Sequence, residues 1–411
     1  MIFFYRFFIN LILIFSPLII LIRLLKKKEH SKRFKEKFCF FSKKKINGNL
    51  IWMHVASVGE LMSIIPLIQN LENENKINQI LITSSTVSSS NIFQKLKFKK
   101  TIHQFFPIDT NYFAKKFLNY WQPKLAIFIE SEIWPNMLIN LKKRSINHIL
   151  LNARITNKTF KRWNKINFFS KKLFQSFYAV YPQNLETKKY LKKFGCQKIK
   201  KIGNLKFTSS YKKIEDGLNK KIYKKKIIWC ASSTHDTEEI ISANTHIELK
   251  KNIKNLLTII IPRHIDRKEK IINNLNNLNL KVHLHSSKNK ISNDIDVYLV
   301  DTYGETKKFF KISKVVFLGG SMINHGGQNP LEAARFGSKI LHGKYIHNFT
   351  EIYSLLKKNK QSKKISSQNH LNYTLRKSLI EKNKSDIFIK KLNKNGNMIL
   401  KKTKNEIVRL I

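Results

Sequence analysis

Short apolar runs alternate with amphipathic stretches along most of the chain. Leu50 to Val55, Gln79 to Thr83, Lys124 to Ile129 and Asn147 to Leu151 are β-rich runs of strand length. Between them, Leu61 to Leu71 and Ala114 to Tyr120 carry helical spacing. Strand, helix and strand in that order predict βαβ units, and hence a parallel sheet covered by helices. The periodicity lapses over Thr208 to Lys226, a Lys- and Ser-bearing stretch that reads as a domain linker. It resumes with Ile227 to Ala231, Leu256 to Ile261, Lys281 to Leu284, Val297 to Val300 and Val315 to Leu318. The expectation is two doubly wound α/β domains, and 411 residues are enough for each to bury its own core. Ligands of such sheets sit at the carboxyl ends of the strands, so the site is expected in a cleft between the domains. Beyond Leu356 the chain is rich in Lys, Asn and Ser, with helical character near its end and no readable chemistry.

The first residues follow a different pattern. Phe7 to Ile22 is almost wholly apolar, with Arg6 before it and Lys26, Lys27, Lys28, Lys32, Arg33, Lys35 and Lys37 after it. At ~1.5 Å per residue the run is a little short of a full bilayer crossing unless its flanks extend it, so it either spans or lies shallowly. No small-x-small cleavage site follows, which argues against a removed signal peptide. The basic cluster predicts that the main body stays on the cytoplasmic side.

Composition adds a formal charge of +52, from 78 Lys and Arg against 26 Asp and Glu. The excess is scattered through every segment, and it favours anionic partners such as acidic headgroups or phosphorylated substrates. With no zinc finger or aromatic RNA-binding signature beside it, a nucleic-acid partner is not expected. Cys39, Cys196 and Cys230 are odd in number and far apart, which fits a reducing compartment rather than a disulfide framework.

Polar clusters mark the strand ends. Gly319 to Glu332, GGSMINHGGQNPLE, follows an apolar run and leads into a predicted helix with Asn329 at its N-cap and Pro330 in its first turn. Such a helix start offers free N–H groups and a positive dipole end to a phosphate. Glu60 in SVGE lies where a Gly turn meets a helix, and it can act as a general base or simply complement the helix dipole. Glu130 to Asn136, ESEIWPN, sets two carboxylates beside Trp134 and Pro135, while Lys206 in NLKF has no distinction on composition alone. In the second half come ASSTHDTEE (Ala231 to Glu239), PRH (Pro262 to His264) and DTYGE (Asp301 to Glu305). An Arg at such a strand end suits a phosphate, being fixed in charge and bidentate. Neither zinc spacing nor a Walker lysine motif is present, and Asp294-Ile295-Asp296 reads as a surface loop rather than a metal-binding pair.

Together these clusters resemble the 3-deoxy-D-manno-octulosonic acid (Kdo) transferases, which add Kdo to the lipid A precursor. The matching motifs run in order from Trp52-Met53-His54-Val55-Ala56-Ser57-Val58-Gly59-Glu60 through ESEIWPN, LLNARIT (Leu150 to Thr156), GNLKF (Gly203 to Phe207), ASSTHDTEE, Ile261 to His264 and DTYGE to GGSMINHGGQNPLE. The resemblance implies a GT-B fold: an N-terminal membrane-anchor helix over residues 1–25, an acceptor domain over 26–210 and a donor domain over 211–411, two Rossmann-like domains facing across a cleft. It implies inverting transfer from CMP-β-Kdo, with no metal or other cofactor. Glu60 matches the family's proton acceptor, and Glu130 and Lys206 match positions that stabilise the transition state. Pro262, Arg263, Tyr303, Gly304, Glu305, Asn329, Pro330, Leu331 and Glu332 match the CMP-contacting segments. Departures lie on the donor side: His325 where Arg is common, Gln328 where His is common, Asp236-Thr237 for Glu-Gly and Ile265-Asp266 for Pro-Glu. Two other readings stay open, a GT-B lipid glycosyltransferase that uses a UDP-sugar and a non-catalytic membrane scaffold of the same fold. Neither the oligomeric state nor the number of Kdo units transferred follows from the sequence.

Overall fold

The computed structural model describes residues 1–208, 218, 223–381 and 386–411. Most of the expected linker, Thr208 to Lys226, lies outside the described residues. Contacts divide the chain into two units, Met1–Ser210 with Lys394–Ile411, and Tyr211–Asn393.

In the first unit a helix over Ile2–Leu25 precedes six strands: β1 (Leu50–Val55), β2 (Gln79–Ser84), β3 (Thr101–Phe105), β4 (Leu125–Ile129), β5 (Asn147–Ala153) and β6 (Ala179–Pro182). They pair in parallel in the order β3-β2-β1-β4-β5-β6. Helices cover both faces, so β1, β2 and β4 are buried along their whole length, which is why they read as largely apolar runs. Trp52, Phe117, Trp121 and Phe128 fill one side of the sheet. Sequence periodicity misses β3 and β6. In β3 the buried His103 breaks the apolar pattern, yet Ser84 (2.8 Å) and Arg33 (2.9 Å) satisfy its ring nitrogens. β6 is only four residues long and ends in Pro182.

The second unit holds β7 (Ile227–Thr234), β8 (Leu256–Pro262), β9 (Val282–Leu284), β10 (Val297–Leu299), β11 (Val315–Leu318), β12 (Lys339–His342) and β13 (Ser362–Lys364). Their order is β13-β12-β11-β7-β8-β10-β9, again parallel throughout. β12 and β13 are short and carry Lys, Ser and His, so their strand character comes from pairing with β11 rather than from composition. In each sheet the winding direction reverses at one point, between β1 and β4 in the first and between β7 and β11 in the second. Crevices open outside the strand ends at such points.

The end of the chain departs from expectation. The helix Asp386–Val408 carries its last turns onto the first unit, whereas the family resemblance implied a donor domain running from 211 to 411. Specific contacts hold it there. Lys404 pairs with Glu74 at 2.6 Å, and Glu406 pairs with Lys200 and accepts from the Tyr181 hydroxyl at 3.3 Å. Gly396 permits close approach, since a Cβ there would lie 2.1 Å from the Phe207 carbonyl oxygen. The tail therefore backs the short turn Leu205–Thr208, which carries Lys206.

Candidate active site

At the reversal point of the first sheet, three carboxylates and one cation converge. Glu60 leaves β1 in the first turn of the helix Val58–Leu71. Ser57 caps that helix by accepting from the Glu60 N–H, and the Glu60 carboxylate reaches back to accept from the Ala56 N–H at 2.7 Å and the Ser57 hydroxyl at 3.1 Å. This reciprocal capping box fixes the carboxylate at the mouth of the crevice. The helix-end reading of Glu60 is thus realised, and the same bonds hold its carboxylate at the strand end.

Glu130 follows β4 directly and is buried, with a left-handed φ of 57°. Its N–H donates to the Leu151 carbonyl (3.0 Å) and its carbonyl accepts from the Arg154 N–H (3.1 Å), which locks an otherwise disfavoured backbone. The conformation turns its side chain toward Lys206, whose Nζ lies 2.7 Å from Oε1. Asn152, at the irregularity that ends β5, accepts from the Leu205 N–H at 3.0 Å and so moors the Lys206 turn to the sheet. The second acid of ESEIWPN has its own support: Glu132 accepts from Trp134 Nε1 (2.9 Å) and lies 3.1 Å from His54 Nε2. His54 faces Thr83 Oγ1 with its other nitrogen at 3.0 Å and stacks on Phe106. The sequence alone assigns no separate role to His54, Glu132 or Asn152. Their signal is position, each lying near the carboxyl end of a strand or just beyond it.

Burial pushes the Glu60 carboxyl up from 4.5 to about 7, partly countered by the Ala56 N–H, with the nearby Glu132 and Glu130 charges raising it further. A base with that pKa is divided between its two forms near neutrality, where proton transfer is most efficient. The native state holds a proton that the unfolded chain releases between those two values, so this group lowers stability as pH rises from 4.5 to about 7.

In the second unit the expected donor residues follow three strands, β8, β10 and β11. Pro262 ends β8, and the Arg263 N–H donates to the Thr234 carbonyl at the end of β7 (2.9 Å). Tyr303, Gly304 and Glu305 follow β10; Tyr303 is exposed, Gly304 has φ 92°, and Glu305 precedes the next helix, where its side chain pairs with Lys308 at 2.6 Å rather than capping the backbone. Asn329, Pro330, Leu331 and Glu332 follow β11, but the expected helix is a single short piece, Leu331–Arg335, that starts one residue later than predicted. Its first N–H groups are not all free, because Asn329 Oδ1 accepts from the Leu331 N–H at 3.1 Å.

The glycine loop has an internal anion of its own. The carboxylate of the fully buried Glu238 accepts from the N–H groups of His235 (3.0 Å), Gly320 (2.7 Å), Ser321 (3.2 Å) and Met322 (3.0 Å). Gly319 is required by this packing, since a Cβ there would sit 2.5 Å from the Ser233 carbonyl oxygen and 2.7 Å from Glu238 Oε2. Beside the loop, the ring of His235 stacks on His325 at 4.3 Å and meets His264 edge-on at 5.8 Å. Burial, and then His325, His264, Arg263 and Arg267, pull the His235 pKa down to about 4. The departures seen in sequence acquire physical content here. His325 supplies the stacked ring, and Thr237 occupies φ 76°, ψ −34°, a region strained for a β-branched residue and natural for the more frequent Gly.

The family model described as 3-deoxy-D-manno-octulosonic-acid transferase (Kdotransferase) matches residues 32–209. The chain is 35% identical over 376 residues to the 3-deoxy-D-manno-octulosonic acid transferase of Rickettsia bellii, spanning 89% of this chain and 88% of that one. To the protein of the same name from Haemophilus influenzae it is 31% identical, over 85% and 84% of the two chains. Among solved structures, a putative UDP-N-acetylglucosamine 2-epimerase from Listeria monocytogenes superposes with TM-score 0.58 at 12% identity, over 89% of this chain and 96% of that one. A glycosyltransferase from Rickettsia africae gives 0.57 at 12% identity, over 89% and 99%. At such identity these two share the fold alone, which is GT-B.

Two outcomes are expected. The acid limb of kcat/KM against pH has its midpoint near 7, and Glu132→Gln, by removing a neighbouring negative charge, shifts that midpoint downward; an unmoved limb would disconnect Glu132 from the base. Thr237→Gly raises thermal stability by about 1 kcal/mol, the part of the ~1–3 kcal/mol backbone strain left after glycine's entropic cost, as read from a denaturation midpoint.

Proposed function

The chain belongs to the Kdo transferase family, and from that membership we propose that it moves Kdo from CMP-β-Kdo to a hydroxyl of the lipid A precursor with inversion at the anomeric carbon. The observation that carries the reading is the pairing, at one crevice of the first unit, of a half-buried carboxylate with pKa about 7 and the largely buried Glu130–Lys206 ion pair. Glu60 in its ionised form takes the proton of the acceptor hydroxyl as that oxygen attacks the anomeric carbon. The bond from that carbon to the CMP phosphate oxygen breaks, and the electron pair leaves with the phosphate. Lys206, held in place by Glu130 and by the Asn152-moored turn, is a preorganised cation for charge developing in the transition state. On the donor unit Arg263 offers a fixed bidentate charge for the CMP phosphate, and Glu332 is an acceptor for ribose hydroxyls. No divalent cation enters this scheme.

The protein is read as attached to the inner membrane on its cytoplasmic side, where anionic headgroups attract the Lys26–Lys28 cluster. Attachment concentrates the enzyme with a lipid acceptor in one interface.

The test is to incubate detergent-solubilised protein with a phosphorylated lipid A precursor and CMP-Kdo generated in situ, with EDTA present, and to weigh the lipid product by mass spectrometry. A gain of one or more Kdo units is expected. Glu60→Gln should cost about 10²–10⁴-fold in turnover, the usual worth of a general base, with CMP binding retained. Wild-type turnover in that variant would remove Glu60 from the mechanism. Transfer only from a UDP-sugar would overturn the donor, and a strict metal requirement would overturn the metal-free scheme.

A further inference from the structure

We propose that the apolar helix Ile2–Leu25 does not cross the bilayer but lies in the plane of one leaflet, as a foot fastened to the first unit along its whole length. Its partner is an anionic phospholipid surface. The residues of this helix that are not exposed are Ile2, Tyr5, Arg6, Ile9, Leu13, Ser16, Ile20, Arg23 and Leu24, a spacing of three or four that traces one narrow face from end to end. Every other position faces outward, and apart from Asn10 and Pro17 each of these is a large apolar side chain.

The docked face is secured at its start, middle and end. Near the start, Tyr5 donates to Asp109 at 2.8 Å, and Arg6 donates to Asn136 (2.9 Å) and Asn111 (3.2 Å). Asp109 is itself buried and accepts from the Asn136 and Met137 N–H groups at the head of the helix Pro135–Lys143. Midway, Leu13 packs on the hydrophobic core of the first sheet. Pro17 cannot donate to the Leu13 carbonyl, and the Ser16 hydroxyl fills that role at 2.6 Å. At the far end Arg23 bonds Glu29 (3.0 Å), which also holds Lys37 (2.7 Å).

This arrangement cannot be kept across a membrane. Arg6 and Arg23 are roughly 25 Å apart along the helix at ~1.5 Å per residue, most of a hydrocarbon layer about 30 Å thick. Were the helix to span, the surface of the first unit over that distance would enter hydrocarbon with Asp109, Asn111 and Asn136, groups that lipid cannot solvate. Lying flat, the helix sinks its outward face into one leaflet and leaves the unit in water. The exposed Lys26, Lys27, Lys28, Lys32 and Lys35 then stand at headgroup level just beyond its end, and none of them has an ion pair among the described residues.

The inference rests on the membrane attachment proposed above, and the experiment separates the two. Single cysteines replace outward residues of the full-length protein, Phe8→Cys, Ile12→Cys, Phe15→Cys and Ile19→Cys, in a Cys196→Ala background because Cys39 and Cys230 are buried. Each carries a fluorophore, and its depth is read by lipid-borne quenchers in vesicles of phosphatidylcholine with and without phosphatidylglycerol. The expected result is tighter binding to the phosphatidylglycerol vesicles, lost at high salt, with all four labels at one shallow depth. A profile deepest at Ile12 and Phe15 and shallow toward both ends would establish a span and overturn the in-plane geometry while leaving attachment intact. Failure to bind either vesicle, with the outward face buried in a dimer of this chain instead, would overturn attachment as well.

Discussion

The ion pair between Glu130 and Lys206 is the constraint on which the catalytic crevice depends. Both side chains are largely out of water, 8% and 13% exposed, so each charge is tolerable only because the other is present. Three devices bring them together: a left-handed backbone at Glu130, an Asn side chain that ties the Lys206 turn to β5, and a C-terminal helix whose glycine lets it press on the same turn from behind. Removing one partner strands the other, a change that costs about 3–5 kcal/mol in buried pairs. The pair also acts beyond itself, because the Glu130 charge is one of the two that raise the pKa of Glu60.

Each sheet places its chemistry at the same topological position, and the two sites use charge differently. In the first unit burial, helped by two neighbouring negative charges, keeps a carboxylate half protonated near neutral pH. In the second, the buried Glu238 carboxylate is spent on four backbone N–H groups and serves as an internal ligand that gives the glycine loop its shape. Beside that loop stand Arg263 and the clustered rings of His264, His325 and the depressed His235. That division suits the proposed transfer, which needs a base for one substrate and positive charge for the other.

Much of this was legible in the sequence for a physical reason. Central parallel strands are buried on both faces, so β1, β2, β4, β7, β8 and β11 announce themselves as apolar runs, and the polar residue that ends each one is already at the ligand-binding edge. The unread parts depend on partners far away in the chain. β3 hides its strand character behind His103, and β13 has the polar composition of an edge strand. Glu238 looked like one acid among several until the N–H groups of Gly320 to Met322 were found around it. The tail buries Gly396, Ile399, Thr403 and Ile407 at helical spacing, a pattern that marks a docking face without saying which unit receives it. The helix at Leu331 ends after Arg335, which the sequence does not foretell, since capping signals set where a helix starts but not how far it runs.

The most direct measurement on the central claim is a double-mutant cycle on turnover with Glu130→Gln, Lys206→Met and the two combined. If the pair acts as one unit, each single change lowers kcat severely and the double variant is no worse than the poorer single, a strong coupling between neighbouring charges. Independent losses that simply multiply in the double variant would contradict the account, and would mean that the two residues serve the reaction separately.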